Sequence, residues 1–351
     1  MTTLILFIVI FGLVVISHEF GHLLLAKANG IHVVEFSVGM GPTLLHFTKG
    51  DTKYSLKLLP IGGACMFEGE DGLATKEGEE SEGSFLKAPV WGRISTVVAG
   101  PLFNFVLAFI IALVMVNMVV LRDPIATEVL DGSAAMEAGL QDGDRILALD
   151  GDKVYLYEEI QMFTQLKYAG GDIKVTYERD GVKTDTILTP KYDENTGRYM
   201  LGISNADFVE LKGADGIKYA YYEIRKCVKM TYQSLAMMVQ GKVERQDVAG
   251  PVGIANMVGE TYEEAKEYGW QNVLVNMMNI TMVLSVNLGI LNLLPFPALD
   301  GGRLVFLLIE VLRGKPVPPE KEGMVHFVGL MFFMILMVFV LFNDISNVFF
   351  S

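Results

Sequence analysis

The chain has 351 residues, of which 51% are hydrophobic and 20% charged, below the roughly 25% charge of an ordinary soluble domain. Its net charge of −13 argues against nucleic acid as a partner, because phosphate binding needs a basic surface. Charge-free runs at 2–17, 94–121, 273–299 and 327–343 exclude an ordinary cytosolic enzyme and also a disordered or fibrous chain, since a membrane-crossing helix needs about 20 mostly apolar residues.

The first run predicts a retained transmembrane helix over 3–27, within a first segment 1–28. No basic stretch precedes it, and it runs into His18-Glu19-Phe20-Gly21-His22 rather than a small-residue cleavage site, so it does not read as a signal peptide. Residues 29–92 form a mixed, β-rich loop. Strands are expected at Ile31–Phe36 and Lys53–Leu59, punctuated by Gly39, Gly41-Pro42, Gly50-Asp51, Pro60 and Gly62-Gly63. The acidic, glycine-rich stretch 68–83 reads as a mobile surface loop. A second transmembrane helix follows over 93–121, with Gly100-Pro101 and Asn104 inside it.

Residues 122–206 are polar and predict a folded α+β domain. Turn residues bracket a strand ending at Asp150-Gly151, a helix is expected over 158–168, and Asp180-Gly181 closes a hairpin of 172–178 and 183–189. The region 207–271 reads as an amphipathic helical connector, helical over 217–240. The stretch 122–270 carries −9 of the net charge. A third span lies in 272–312. It is broken by Pro295 and Pro297 and followed by a short helix over 301–312. The loop 313–324 and a fourth span with the C-terminus, 325–351, complete the chain. Four crossings put the basic loops 27–93 and 313–323 on the inner side, and the acidic domain with both termini outside. Cys65 and Cys227 lie too far apart for a CxxC site, and no disulfide framework is expected.

The chemistry starts from His18-Glu19-Phe20-Gly21-His22, an H-E-x-x-H pattern. On a helix, i and i+4 share a face, so two imidazoles can bind one zinc while Glu19 acts as general base and then acid. The bland alternative puts three ionisable groups in one turn of a membrane helix as mere packing, which is costly. A catalytic zinc takes a third protein ligand. His32, His46 and His326 read as interfacial side chains. Asp300, beside Gly301-Gly302 and just past a broken helix, is the better candidate, with an N-cap role for the following helix as its structural alternative. The two glycines are expected to let the backbone approach the metal.

These segments resemble the site-2 protease family of intramembrane zinc metalloproteases, of the bacterial RseP/RasP type. Ser17-His18-Glu19-Phe20-Gly21-His22 is similar to its first motif, and Asn292-Leu-Leu-Pro-Phe-Pro-Ala-Leu-Asp300-Gly-Gly to its second. Phe36–Pro42, Leu59–Gly63, Ala99–Asn104 and Ala249–Ile254 resemble further family segments, and 129–151 the opening of a PDZ domain. The likeness runs over nearly the whole chain in the family's order. It implies an α-helical polytopic membrane protein with four transmembrane helices, a membrane-associated β-hairpin region and one inserted PDZ-like α+β domain. It further implies that His18, His22 and Asp300 bind Zn2+, that Glu19 is the base, and that Asn292 positions substrate or stabilises the oxyanion. Residues 53–67 would form a hairpin whose edge adds to an unwound substrate as a strand.

The implied substrates are single-span proteins of the lipid bilayer, such as anti-sigma factors or signal-peptide remnants. The implied location is the inner membrane of a bacterium, with the PDZ-like domain extracytoplasmic and able to dock a partner or substrate. Ala64-Cys65-Met66 departs from the aromatic and branched residues often found after the family's Gly-Gly, and the strict Gly-Leu-Gly-Phe carboxylate loop is missing. Three rival readings are weighed. An inactive membrane scaffold binding partners through its PDZ-like domain should have lost motif residues. A transporter should show repeated halves. A zinc peptidase of soluble substrates needs a site facing water.

Overall fold

The computed structural model describes residues 1–69, 82–194, 196–205, 207–242 and 249–350. In chain order it contains α1 (Thr2–Ala28), β1 (Val33–Lys49), β2 (Thr52–Phe67), α2 (Val90–Met115), β3 (Glu128–Val129), α3 (Ala134–Glu137), β4 (Arg145–Leu149) and β5 (Asp152–Lys153). There follow α4 (Glu158–Leu166), β6 (Ile173–Arg179), β7 (Val182–Leu188), β8 (Lys191–Asp193), β9 (Arg198–Met200), β10 (Ile203–Ser204), α5 (Asp215–Val239), α6 (Pro251–Glu267), α7 (Trp270–Asn292), α8 (Asp300–Arg313) and α9 (Pro319–Phe350). The chain divides into two compact units, Met1–Ile111 with Val243–Ser351, and Ala112–Lys242.

In the first unit, α1, α2, α7 and the stretch Glu320–Asp344 of α9 are long and apolar enough to cross a membrane. A helix suits that solvent because all its backbone bonds close within the segment. At 1.5 Å per residue α1 is about 40 Å long, more than the roughly 30 Å hydrocarbon core. The helices meet where side chains vanish. A Cβ on Gly21 would strike the Ala99 carbonyl, and one on Gly289 would sit 3.0 Å from the Phe105 ring and 3.2 Å from the Pro101 carbonyl oxygen. Small residues at such crossings let backbones touch and gain dispersion contact that lipid cannot supply. α2 ends at Met115, short of the expected 121, and residues 116–118 form a turn.

β1 and β2 pair antiparallel, but register shifts fold each strand on itself. Residues 33–38 thereby have two neighbours, 63–67 and 53–56, and 53–56 also faces 45–48. The two strands expected from sequence are the inner segments of this small sheet, and the glycines marked as turns are its bends: Gly39, Gly41 and Gly62 all have positive φ. The outer segment 45–48 was not legible because its exposed residues, among them Leu45 and Phe47, show no alternation against a core. Most of the acidic stretch 68–83 falls outside the described residues.

The second unit has its own core. β5-β4-β6-β7 form one sheet and β10-β3 a second, shorter pairing. Ile146, Leu149, Phe163, Val175 and Leu188 are buried between sheet and helices. Glu159 is wholly buried yet satisfied. It accepts the Tyr155 and Leu156 backbone N–H groups and pairs with Arg225 of α5, as a buried charge must.

The structure splits the single connector expected over 207–271. α5 belongs to the second unit, and α6 to the first. There Val258 of α6 is buried with Ile10 of α1 and with Met277 and Ile280 of α7. The charged second half of α6, from Glu260 to Glu267, masks that apolar first half when the sequence is read linearly. Asp344 near the end of α9 accepts the N–H groups of Gly250, Val252 and Gly253 at 2.9–3.0 Å. It satisfies the open N-terminus of α6 from another helix.

Candidate metal centre

The spacing of His18 and His22 on α1 sets their rings edge to face one turn apart, both side chains buried, with Nε2 atoms 3.2 Å from each other. Asp300 enters from the first turn of α8, and its Oδ2 lies 3.1 Å from His18 Nε2 and 3.4 Å from His22 Nε2. The N-cap of α8 is Leu299, with no side-chain capping bond. The capping alternative for Asp300 is therefore not the geometry adopted, although an acidic group in the first turn still suits the helix dipole. Among the described residues these three form the only group of histidine, cysteine or acidic side chains placed to hold a metal ion.

The donor set itself asks for a cation. Asp300 Oδ2 is buried and makes no hydrogen bond among the described residues. His22 Nδ1 lies 2.8 Å from the Thr96 carbonyl oxygen. The ring donates there, and in its neutral form Nε2 then carries a bare lone pair. A carboxylate oxygen and a lone-pair nitrogen converging in a buried space repel unless a proton or a metal ion sits between them. Two nitrogens and one oxygen suit zinc and other borderline divalent metals.

The supporting elements show why the motifs read as they do. A Cβ on Gly100 of α2 would overlap His22 Nε2 and come within 2.9 Å of His18 Cε1, so only glycine leaves room for the imidazole pair. Cβ atoms on Gly301 and Gly302 would strike the carbonyls of Leu294 and Phe296. This corrects the expectation that these glycines bring backbone to the metal; they bring α8 against the preceding loop. That loop carries Ala298 at φ 72°, and the Ala298 N–H donates to His326 Nδ1 at 2.9 Å. Arg93 of α2 pairs with both carboxylate oxygens of Glu310 and anchors α8 from its far side.

Glu19 projects beside His18 beneath β2. A Cβ on Gly63 would lie 2.9 Å from Glu19 Cγ, and the backbone at Cys65 hydrogen-bonds the Glu19 carboxylate. Asn292, the last residue of α7, places Nδ2 3.5 Å from His18 Nε2. The site thus gathers His18, Glu19, His22, Asn292 and Asp300 from α1, α7 and α8. His32 instead meets Glu68 at 2.9 Å, His46 sits on the exposed outer segment of β1, and His326 braces the Ala298 loop. Sequence reasoning missed Thr96, whose contribution is a backbone carbonyl that no side-chain pattern reveals. It also noted Asn104 without a role; a wholly buried amide in a charge-free span was the available signal.

The family model described as peptidase family M50 matches residues 6–336 and so contains all five residues. The chain belongs to peptidase family M50. A zinc metalloprotease RasP of Bacillus licheniformis is 33% identical to this M50 chain over 99% of the chain and 100% of its own length. The regulator of sigma-W protease RasP of Bacillus subtilis is 31% identical over 99% of each. Among solved structures, the PDZ domain of an SdrC-like protein of Listeria monocytogenes matches 26% of the chain and 92% of its own at 21% identity and TM-score 0.22. This M50 member is a membrane metalloprotease of the site-2 type.

Proposed function

We propose that the protein hydrolyses peptide bonds within or near the transmembrane segment of single-span membrane proteins, using zinc held by His18, His22 and Asp300. The observation that carries this reading is the convergence of three ligand atoms, two of them on a helix long and apolar enough to span a bilayer. Bound zinc supplies Lewis acidity and makes water nucleophilic near neutral pH. Glu19 takes the proton released as water oxygen bonds to the scissile carbon. It returns that proton to the amide nitrogen as the C–N bond breaks. The Asn292 amide N–H donates to the carbonyl oxygen as negative charge develops there. The β2 edge over Glu19 receives an unwound substrate segment as an added strand, because a helical substrate keeps its carbonyls in internal bonds.

Anti-sigma factors and signal-peptide remnants are the proposed substrate classes, in keeping with the Bacillus subtilis relative named as a sigma-W regulator. The basic loops lie on the cytoplasmic side of a bacterial inner membrane. The second unit, as a PDZ-like domain, lies outside it and docks a partner or substrate. A scaffold reading is not favoured, since the sequence keeps every motif residue.

The test is cleavage of a tagged single-span substrate by purified protein in detergent, with metal content measured alongside. Glu19→Gln should retain stoichiometric metal and lose roughly 100- to 10,000-fold in rate, and a chelator should abolish cleavage. Glu19→Gln cleaving at the wild-type rate, or cleavage unaffected by metal removal, would overturn the assignment.

A further inference from the structure

The two histidines of the site are held differently. His22 Nδ1 is fixed by a carbonyl oxygen, an acceptor of the kind that orients metal-ligating imidazoles. His18 Nδ1 faces a side-chain amide instead, 3.3 Å from Asn104 Nδ2. Asn104 is wholly buried, and its backbone carbonyl accepts the Ser285 hydroxyl of α7 at 2.8 Å. That bond ties the backbone of α2 at this point to α7 and leaves the side-chain amide untouched. Its Oδ1 is buried and makes no hydrogen bond among the described residues.

These facts conflict for a metal ligand. An N–H donor facing Nδ1 suits only the tautomer protonated on Nε2, the atom that points at Asp300. Half a turn of the amide about Cβ–Cγ exchanges its nearly isosteric oxygen and nitrogen. The unpartnered Oδ1 then accepts from Nδ1–H, and His18 Nε2 keeps its lone pair for the metal. We propose that Asn104 is a positioning residue that selects the metal-binding tautomer of His18 through its side-chain carbonyl oxygen. The inference rests on the reading of His18 as a ligand.

The experiment measures metal affinity of the full chain in detergent by chelator competition, together with the visible absorption of the Co2+-loaded protein. Four variants are compared: Asn104→Leu, Asn104→Ala, Asn104→Asp and Ser285→Ala. Leu and Ala at 104 offer no acceptor and should weaken metal binding about 10- to 100-fold, the usual cost of losing such a partner, with an altered Co2+ spectrum. Asp keeps an acceptor and has no N–H, so Asn104→Asp should bind within about threefold of wild type. Ser285→Ala loosens the same stretch of α2 without touching His18 and should leave affinity unchanged. If Asn104→Leu fails to fold, the Asn104→Ala and Asn104→Asp pair gives the same comparison. The proposal is overturned if Asn104→Asp is as weak as Asn104→Ala, if neither Asn104→Leu nor Asn104→Ala weakens metal binding, or if Ser285→Ala costs as much as Asn104→Ala. If instead the wild type binds no metal, or His18→Ala binds it equally well, the ligand assignment itself fails.

Discussion

Burial sets the reactivity of Cys227. It faces inward on α5 at 3% exposure, and burial pushes its thiol up to about 11, against the opposing pull of Lys226 beside it. The thiolate is the reactive form, so little of it exists near neutral pH. At pH 8, iodoacetamide should modify Cys227 about 100-fold more slowly in the folded protein than in urea; mass spectrometry of the Cys227 peptide measures this, and equal rates would show that α5 is not packed as described. At this scale the sequence was informative wherever a side chain carries its own chemistry. His18, Glu19 and His22 could be named because their types and spacing already describe a metal site, whereas Asp300 stood out by its setting beside a broken helix. Asn104 could not be given its role, because what matters is which helix faces it.

Between elements, glycine positions set how closely the helices approach. Gly100 faces the imidazole pair so tightly that an added methyl must displace His22 or His18. Gly100→Ala should therefore cost at least about tenfold in metal affinity, equivalent to about 1.4 kcal/mol, while leaving α2 helical because alanine favours helix over glycine. Chelator competition with circular dichroism tests both halves; unchanged affinity would mean that α1 and α2 are not so closely apposed. The spans themselves were legible because such long charge-free runs have few other stable fates. The status of α6 was not, since its membership of the helical unit depends on Val258 meeting Ile10 and Met277 and on Asp344 capping it from 91 to 94 residues away.

At the scale of the whole molecule the chain is two units, and the second closes its own core around Phe163, Ile146 and Val175. Among the described residues its ion pairs, including Arg179 with Asp144 and Arg225 with Glu159, also close within it. Residues 116–242 produced alone should fold and unfold cooperatively in urea, with coincident transitions by circular dichroism and tyrosine fluorescence. Separate transitions would show that this unit depends on the rest of the chain.

The sequence by itself determined the four apolar spans, the inserted polar domain and the His18-Glu19-His22 pattern of the proposed metal site, because solvent transfer and metal coordination act on residue types at short spacing. Only the tertiary structure decided that Asp300 faces the histidines rather than capping its own helix. It likewise decided that Gly301 and Gly302 serve the loop, that Thr96 and Asn104 stand behind the imidazoles, and that β2 lies over Glu19. Each of these depends on distances between segments far apart in the chain, which follow from how helices and sheet pack and not from any local pattern.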